Sequence, residues 1–255
     1  MTDDVAAMKL AGTLRREPPA AQRRGLSRYF FVGLGVLYTI VAIVGFAPSV
    51  YKYFIGEVSY PPVVHVHAVL MLGWVVLFTT QAGFAASGKL IRHRQVGFAS
   101  LTLAAALWIS MGVVSIAALV RYDPAQYGFL IKPLLIQLGL MVAFPIFLTW
   151  GVLARRESSW HKRLMTFATL TLLQAAVDRM NWLPNEGLPM FWHYGVRLYV
   201  LMLPLFVFDI VTLRRIHPAT LIGAGLIVAM HGVITYYAND PGWKELAMSF
   251  WMSLR

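Results

Sequence analysis

Charged residues are so unevenly spread along this chain that the first pattern to read is where they are missing. Five intervals carry none: Tyr29–Tyr51, Val58–Gly88, Gln95–Val120, Pro133–Ala154 and Ile216–Asn239, of 23, 31, 26, 22 and 24 residues. Each is rich in Leu, Val, Ile, Phe and Ala, and each meets the about 20 apolar residues that a helix needs to cross a hydrocarbon core about 30 Å thick. Two further intervals are interrupted. Leu164–Val177 ends after 14 residues at Asp178-Arg179, and Gly187–Phe208 contains Arg197. Charges in such places can snorkel, pair or face a bundle interior, so both count as spans. The pattern predicts an all-α polytopic membrane protein, a bundle of seven transmembrane helices over residues 29–238.

Basic residues orient the bundle. Six lie in the tail before the first span, and Lys89, Arg92 and Arg94 follow the second. Arg155, Arg156, Lys162 and Arg163 follow the fourth, and Arg214 and Arg215 the sixth, so that 15 share one side. The other side holds Lys52, Arg121, Lys132, Arg179, Lys244 and Arg255. Cytoplasmic flanks carry the excess of Lys and Arg, which predicts a cytoplasmic N-terminus and a C-terminus outside. Residues 1–28, with Pro18-Pro19 and paired arginines, read as a mobile basic tail at the membrane. Arg23-Arg24 ahead of an apolar run is faintly like a twin-arginine signal, but no small-residue cleavage site closes the run. Beyond the last span, over 239–255, Trp243, Leu246, Ala247, Phe250, Trp251 and Leu254 recur at helical spacing. That stripe predicts an amphipathic helix, either lying in the outer interface or packed on the bundle.

Composition agrees with the pattern. The chain is 58% hydrophobic and 13% charged, against about 45–50% and about 25% in soluble domains, which excludes a water-soluble domain. With no cysteine there is no disulfide, thiolate-bound metal, iron–sulfur cluster or cysteine nucleophile. The net charge of +11 sits in loops, so the partners it implies are anionic lipids on the cytoplasmic face and not nucleic acid. Internal similarity adds one architectural expectation. His93-Arg94-Gln95-Val96-Gly97-Phe98-Ala99-Ser100-Leu101-Thr102-Leu103 and the stretch from His161 to Leu172 share Phe-Ala-Ser/Thr-Leu-Thr-Leu and a preceding His-basic pair. This predicts a parallel two-helix repeat of spans 2–3 and 4–5.

Histidines sort into two layers. The outer layer has His65 and His67 opening span 2, His193 and Arg197 opening span 6, and Asp178, Arg179 and Asn181 closing span 5. His231 lies about 18 Å along span 7 from Ala219. An imidazole at that depth needs a partner or a polar cavity, either as a ligand or in a structural hydrogen bond, to Tyr194 or a backbone carbonyl. The inner layer has Gln81, His93, Arg94, His161, Asp209, Arg215 and His217. Here Arg94, Lys162 and Arg163 are expected on lipid phosphates, and Asp209 on Arg215 or His217.

Three chemistries can use such histidines. A b-type haem needs two imidazoles at similar depth, which His67 with His231 or His193 would supply outside and His93 with His161 inside, giving membrane electron transfer with a redox partner. A non-haem metal enzyme would draw three ligands from His65, His67, Asp178, His193 and His231. A transporter would line a path with Asp178, Arg179, Arg197 and His231. A structural or assembly subunit with no cofactor completes the alternatives. No Walker loop, G-x-G-x-x-G or G-x-S-x-G occurs in the sequence.

The strings Pro61-Pro62-Val63-Val64-His65-Val66-His67-Ala68, His161-Lys162-Arg163-Leu164-Met165 and His217-Pro218-Ala219-Thr220 resemble those of an uncharacterised group of bacterial multi-pass inner-membrane proteins. The resemblance implies the same topology and a place in the bacterial cytoplasmic membrane. More remotely, an early His in one helix and His-Arg opening the next resemble the layout of cytochrome b561-like haem proteins.

Overall fold

The computed structural model describes residues 20–121, 127–180, 182 and 190–254, with side chains at 27–121, 134–180, 182 and 195–254. Described residues form helices and turns only. The helices are α1 (Ala20–Phe54), α2 (Pro62–Ala86), α3 (Leu90–Arg121), α4 (Tyr127–Leu153), α5 (Ser158–Leu172), α6 (Gln174–Asp178), α7 (Met190–Leu213), α8 (Pro218–Tyr237) and α9 (Pro241–Ser253), with a 3₁₀ turn at Ala154–Arg156. Six of them, α1, α2, α3, α4, α7 and α8, contain stretches long and apolar enough to cross a membrane. The chain is therefore a multi-pass integral membrane protein. Helix α1 starts at Ala20, well inside the stretch expected to be tail; residues 1–19 lie outside the described residues.

The expected fifth span folds as two pieces, α5 and α6, joined at Leu173. There Leu173 N donates to Leu170 O at 3.0 Å and Ala176 N to Leu173 O at 2.9 Å, bonds of i→i−3 type that tighten a helix locally. Helix α1 presses on the joint at Gly45, where a Cβ would stand 2.4 Å from the Ala176 carbonyl oxygen. Neither piece alone is long enough to cross.

Packing places this broken element in the middle. Helices α1, α2, α3, α4, α8 and α7 follow one another around it, with α7 closing back on α1; α5 touches α2, α4, α7 and α8, and α6 touches α1 and α7. Leu164 and every residue from Thr166 to Leu172 are buried, while surrounding helices expose Ile40, Val69, Val142 and Val207 on their outer faces. The core is apolar for the most part, with a few polar side chains enclosed in it. The outer faces of the surrounding helices are apolar, and Arg163, Thr166, Thr169, Thr171 and Gln174 are buried within. Backbone and neighbours satisfy the threonines: Thr166 donates to Lys162 O, Thr169 to Met165 O and Thr171 to Ala168 O at 2.8, 3.0 and 2.8 Å, and Trp74 Nε1 donates to Thr169 Oγ1 at 3.2 Å. Close helix approach uses small residues, as membrane packing favours. At Gly223 of α8 a Cβ would stand 2.3 Å from the Phe167 ring of α5.

The C-terminal stripe forms a helix that packs on the bundle. Asp240 caps α9 by accepting from Trp243 N at 2.8 Å. One face packs on the bundle, with Ala247 and Trp251 buried and Trp251 Nε1 donating to Leu119 O at 3.0 Å. The other face exposes Leu246, Phe250 and Met252.

Candidate functional site

Three helices begin at the basic end of the bundle, and their first turns converge there. His93 opens α3 and turns its ring back on α2, with Nδ1 3.2 Å from the Gln81 backbone carbonyl. The Gln81 amide, oriented to accept from Gly97 N at 2.7 Å, places its nitrogen 2.7 Å from the same ring atom. His161 opens α5 and makes the corresponding contact with α4, Nδ1 to the Gly151 carbonyl at 2.7 Å. Each histidine thus ties the start of one helix to the end of the preceding one. This equivalence supports the two-helix repeat. It also brings the two rings together, their centroids 6.0 Å apart and their planes at 88°.

A second polar cluster lies beside them. Arg163 is 1% exposed and Asp209 0%, and they form a buried ion pair: Arg163 Nε donates to Asp209 Oδ1 at 3.0 Å, Nη2 donates to the same oxygen, and Nη1 donates to Ser159 O at 2.8 Å. Asp209 Oδ2 accepts from the His217 backbone N at 3.0 Å and from Thr220 Oγ1 at 2.6 Å. One carboxylate therefore joins α5, α7 and the start of α8. His217 is the N-cap of α8, its Nδ1 accepting from Ala219 N at 3.1 Å. Burial, together with the positive charges of Arg163, Arg215 and Lys162 and against Asp209, holds the His217 imidazole below its ordinary pKa.

These contacts revise several expectations. Arg163 has no surface to offer a lipid phosphate, because the bundle encloses it. Asp209 takes Arg163 as its charged partner and the His217 backbone; Arg215 is exposed. Lys162 lies over the Phe31 and Phe208 rings, 5.0 and 5.5 Å from their centroids. Arg94 is exposed at the start of α3.

At the opposite end the expected histidines fall into separate contacts. His65 is exposed, its ring 4.9 Å from that of Tyr53. His67 reaches α3, with Nδ1 2.8 Å from Ser110 Oγ, which itself donates to Leu107 O at 2.7 Å. His231 is 1% exposed and meets Tyr199 Oη of α7 at 2.8 Å through Nδ1; the side chain of Tyr194, the partner expected from the sequence, lies outside the described residues. Asp178 accepts from Gln174 Nε2 at 2.7 Å and lies in the field of Arg179 and Arg197. Arg197 Nη1 donates to Val177 O at 3.0 Å, and Arg179 covers the Phe46 ring at 4.5 Å. The side chain of His193, and Asn181 altogether, lie outside the described residues.

Among the described residues no three His, Asp or Glu side chains converge as a metal site would require. The histidines that do meet are His93 and His161. Sequence reasoning missed Tyr199 and Ser110, the partners of His231 and His67, since a lone Tyr or Ser in an apolar helix gives no spacing signal. One trace of Tyr199 was present: Gly195, four residues earlier, leaves room for its ring, which a Cβ there would meet at 2.3 Å. No protein-family model, curated protein or solved structure matches this chain.

Proposed function

We propose that this chain is a seven-helix redox protein of the bacterial cytoplasmic membrane, with its N-terminus in the cytoplasm, its C-terminus outside and a b-type haem between His93 and His161. The α5–α6 element is the seventh crossing. Residues 158–178 at about 1.5 Å per residue extend about 31 Å, the thickness of a hydrocarbon core. The excess of Lys and Arg at the end where α3, α5 and α8 begin supports the orientation.

One observation carries the haem reading: two imidazoles from different helices meet edge to face at 6.0 Å between centroids, each with Nδ1 near a backbone carbonyl. A ligating histidine ordinarily donates its second ring N–H to a carbonyl, which fixes the tautomer and leaves Nε2 bare. The Gly151 carbonyl selects that form at His161, whereas at His93 the Gln81 amide N–H meets Nδ1 as an acceptor at 2.7 Å. Two rings bonded at about 2.0–2.1 Å to one ion are in keeping with this separation. A haem iron needs only two protein donors, because the porphyrin supplies the other four. When bound, the haem supplies one-electron chemistry. His93 and His161 would hold the haem, Trp160, whose ring centroid is 5.6 Å from that of Trp150, stands next to His161 in the sequence, and Arg94 and Lys162 would meet propionates or anionic lipid phosphates.

The test is an oxidised and dithionite-reduced absorption spectrum of protein expressed with adequate haem supply. A Soret band with sharpened reduced α and β bands, lost in His93→Ala and in His161→Ala, is expected. A featureless spectrum overturns the haem reading. Retention in both variants with loss in His67→Ala overturns the ligand assignment.

A further inference from the structure

His231 is buried in the half of α8 that lies away from the basic end, and only one side of its ring is accounted for. Nδ1 meets Tyr199 Oη at 2.8 Å, whereas among the described residues no protein atom lies within hydrogen-bond reach of Nε2. Thr235 Oγ1, one turn further along the same helix, is buried and without a partner too. Helical threonines usually donate to the carbonyl four residues back, as Thr166 and Thr169 do here. Thr235 does not. Residues at i and i+4 stand side by side on one helix face, so the two orphaned atoms are neighbours.

A buried polar group left without a partner is costly, and a single guest that both donates and accepts would relieve both. Space limits its size. Helix α4 presses on the adjoining residues of α8 at Gly139, where a Cβ would stand 3.2 Å from Met230 and Ile234. Water is the guest that fits: buried waters make about three hydrogen bonds to groups otherwise unsatisfied, and two bonds of about 2.8 Å span atoms about 5 Å apart.

We infer that α7 and α8 enclose an internal water bound by His231 Nε2 and Thr235 Oγ1, which joins Tyr199, His231 and Thr235 into one hydrogen-bonded row. Hydroxyl, imidazole and water each donate and accept, so every bond in the row can reverse together. Such a reversal takes one proton in at Thr235 and releases one at Tyr199, with no net change of charge within. This reading is independent of the haem proposal.

Water-edited magic-angle-spinning NMR of ¹⁵N-histidine-labelled protein in lipid bilayers tests it. The His231 ring signals are assigned by their loss in His231→Gln or, if that variant does not fold, by their shift in Tyr199→Phe. Magnetisation is expected to pass from water to the His231 ring, and its build-up to slow several-fold in Thr235→Val. No transfer to His231 in the unsubstituted protein, or transfer unchanged by Thr235→Val, overturns the inference.

Discussion

Arg163 and Asp209 form an ion pair in which neither side chain is more than 2% exposed, and it lies where the central helix meets α7. Breaking such a pair from one side leaves a bare charge in an apolar surround, at a cost of about 3–5 kcal/mol. Asp209→Asn and Arg163→Met are each expected to lower the thermal unfolding midpoint in detergent severely, and Arg163→Met with Asp209→Leu to recover most of the loss. A double variant no better than the worse single one would show that the hydrogen bonds to His217 and Thr220, and not the charge balance, hold this end together.

His217 gives a pH dependence with a definite sign. Its folded-state pKa lies below the ordinary value, so between the two pKa values the unfolded chain binds more protons and stability rises with pH. Acidification through that window therefore removes stability, and the protonated ring can no longer accept from Ala219 N. Thermal midpoints recorded from pH 7.5 downward should fall, and His217→Asn, which keeps a capping oxygen but does not titrate, should flatten part of the fall. At neutral pH His217→Ala is expected to cost about 1 kcal/mol, the usual worth of an N-cap. Parallel pH profiles for the unsubstituted protein and His217→Asn would rule the argument out.

The contact between Gly223 and Phe167 predicts that α8 cannot accept a larger residue there. Gly223→Leu should give a less stable protein, with the loss partly relieved by Phe167→Ala. Measuring both singles and the double isolates the coupling; simple additivity would show that the helices separate freely.

Trp251 is the anchor of α9, through burial and its bond to Leu119 O. Trp251→Phe keeps most of the apolar surface and removes the N–H, so the α9 amides are expected to exchange with solvent deuterium faster while those of α3 stay protected. Unchanged exchange in α9 would mean that contacts other than the Trp251 N–H hold it in place.

Much of this architecture is legible in the sequence because a bilayer penalises charge so heavily that the charge-free intervals mark out α1, α2, α3, α4 and α8 almost by themselves. The interrupted interval was harder to read. Asp178 and Arg179 mark its end, but nothing in Leu164–Val177 announces the joint at Leu173, next to which Gly45 of a helix more than a hundred residues earlier packs on the Ala176 backbone. The two-layer placement of histidines follows from depth alone, and depth permits the meeting of His93 with His161. Whether two side chains at one depth touch is a matter of helix rotation and neighbour order. Depth could not separate His93–His161, which meet, from His67 and His231, which have Ser110 and Tyr199 as their partners. The same gap explains Arg163, whose basic surroundings in the sequence suggest a lipid-facing residue until the partner on α7 is known.

The burial of a polar helix at the centre has a consequence for how the chain enters its membrane. Segment 158–178 is both the most hydrophilic candidate for insertion and the one whose arginine is neutralised by Asp209, a residue made about thirty positions after it ends. During synthesis the segment reaches the translocon before its counter-charge exists. On the proposed seven-helix topology its stable residence in the bilayer waits on α7 and α8, and a chain released before them would lack the groups that make its middle compatible with lipid.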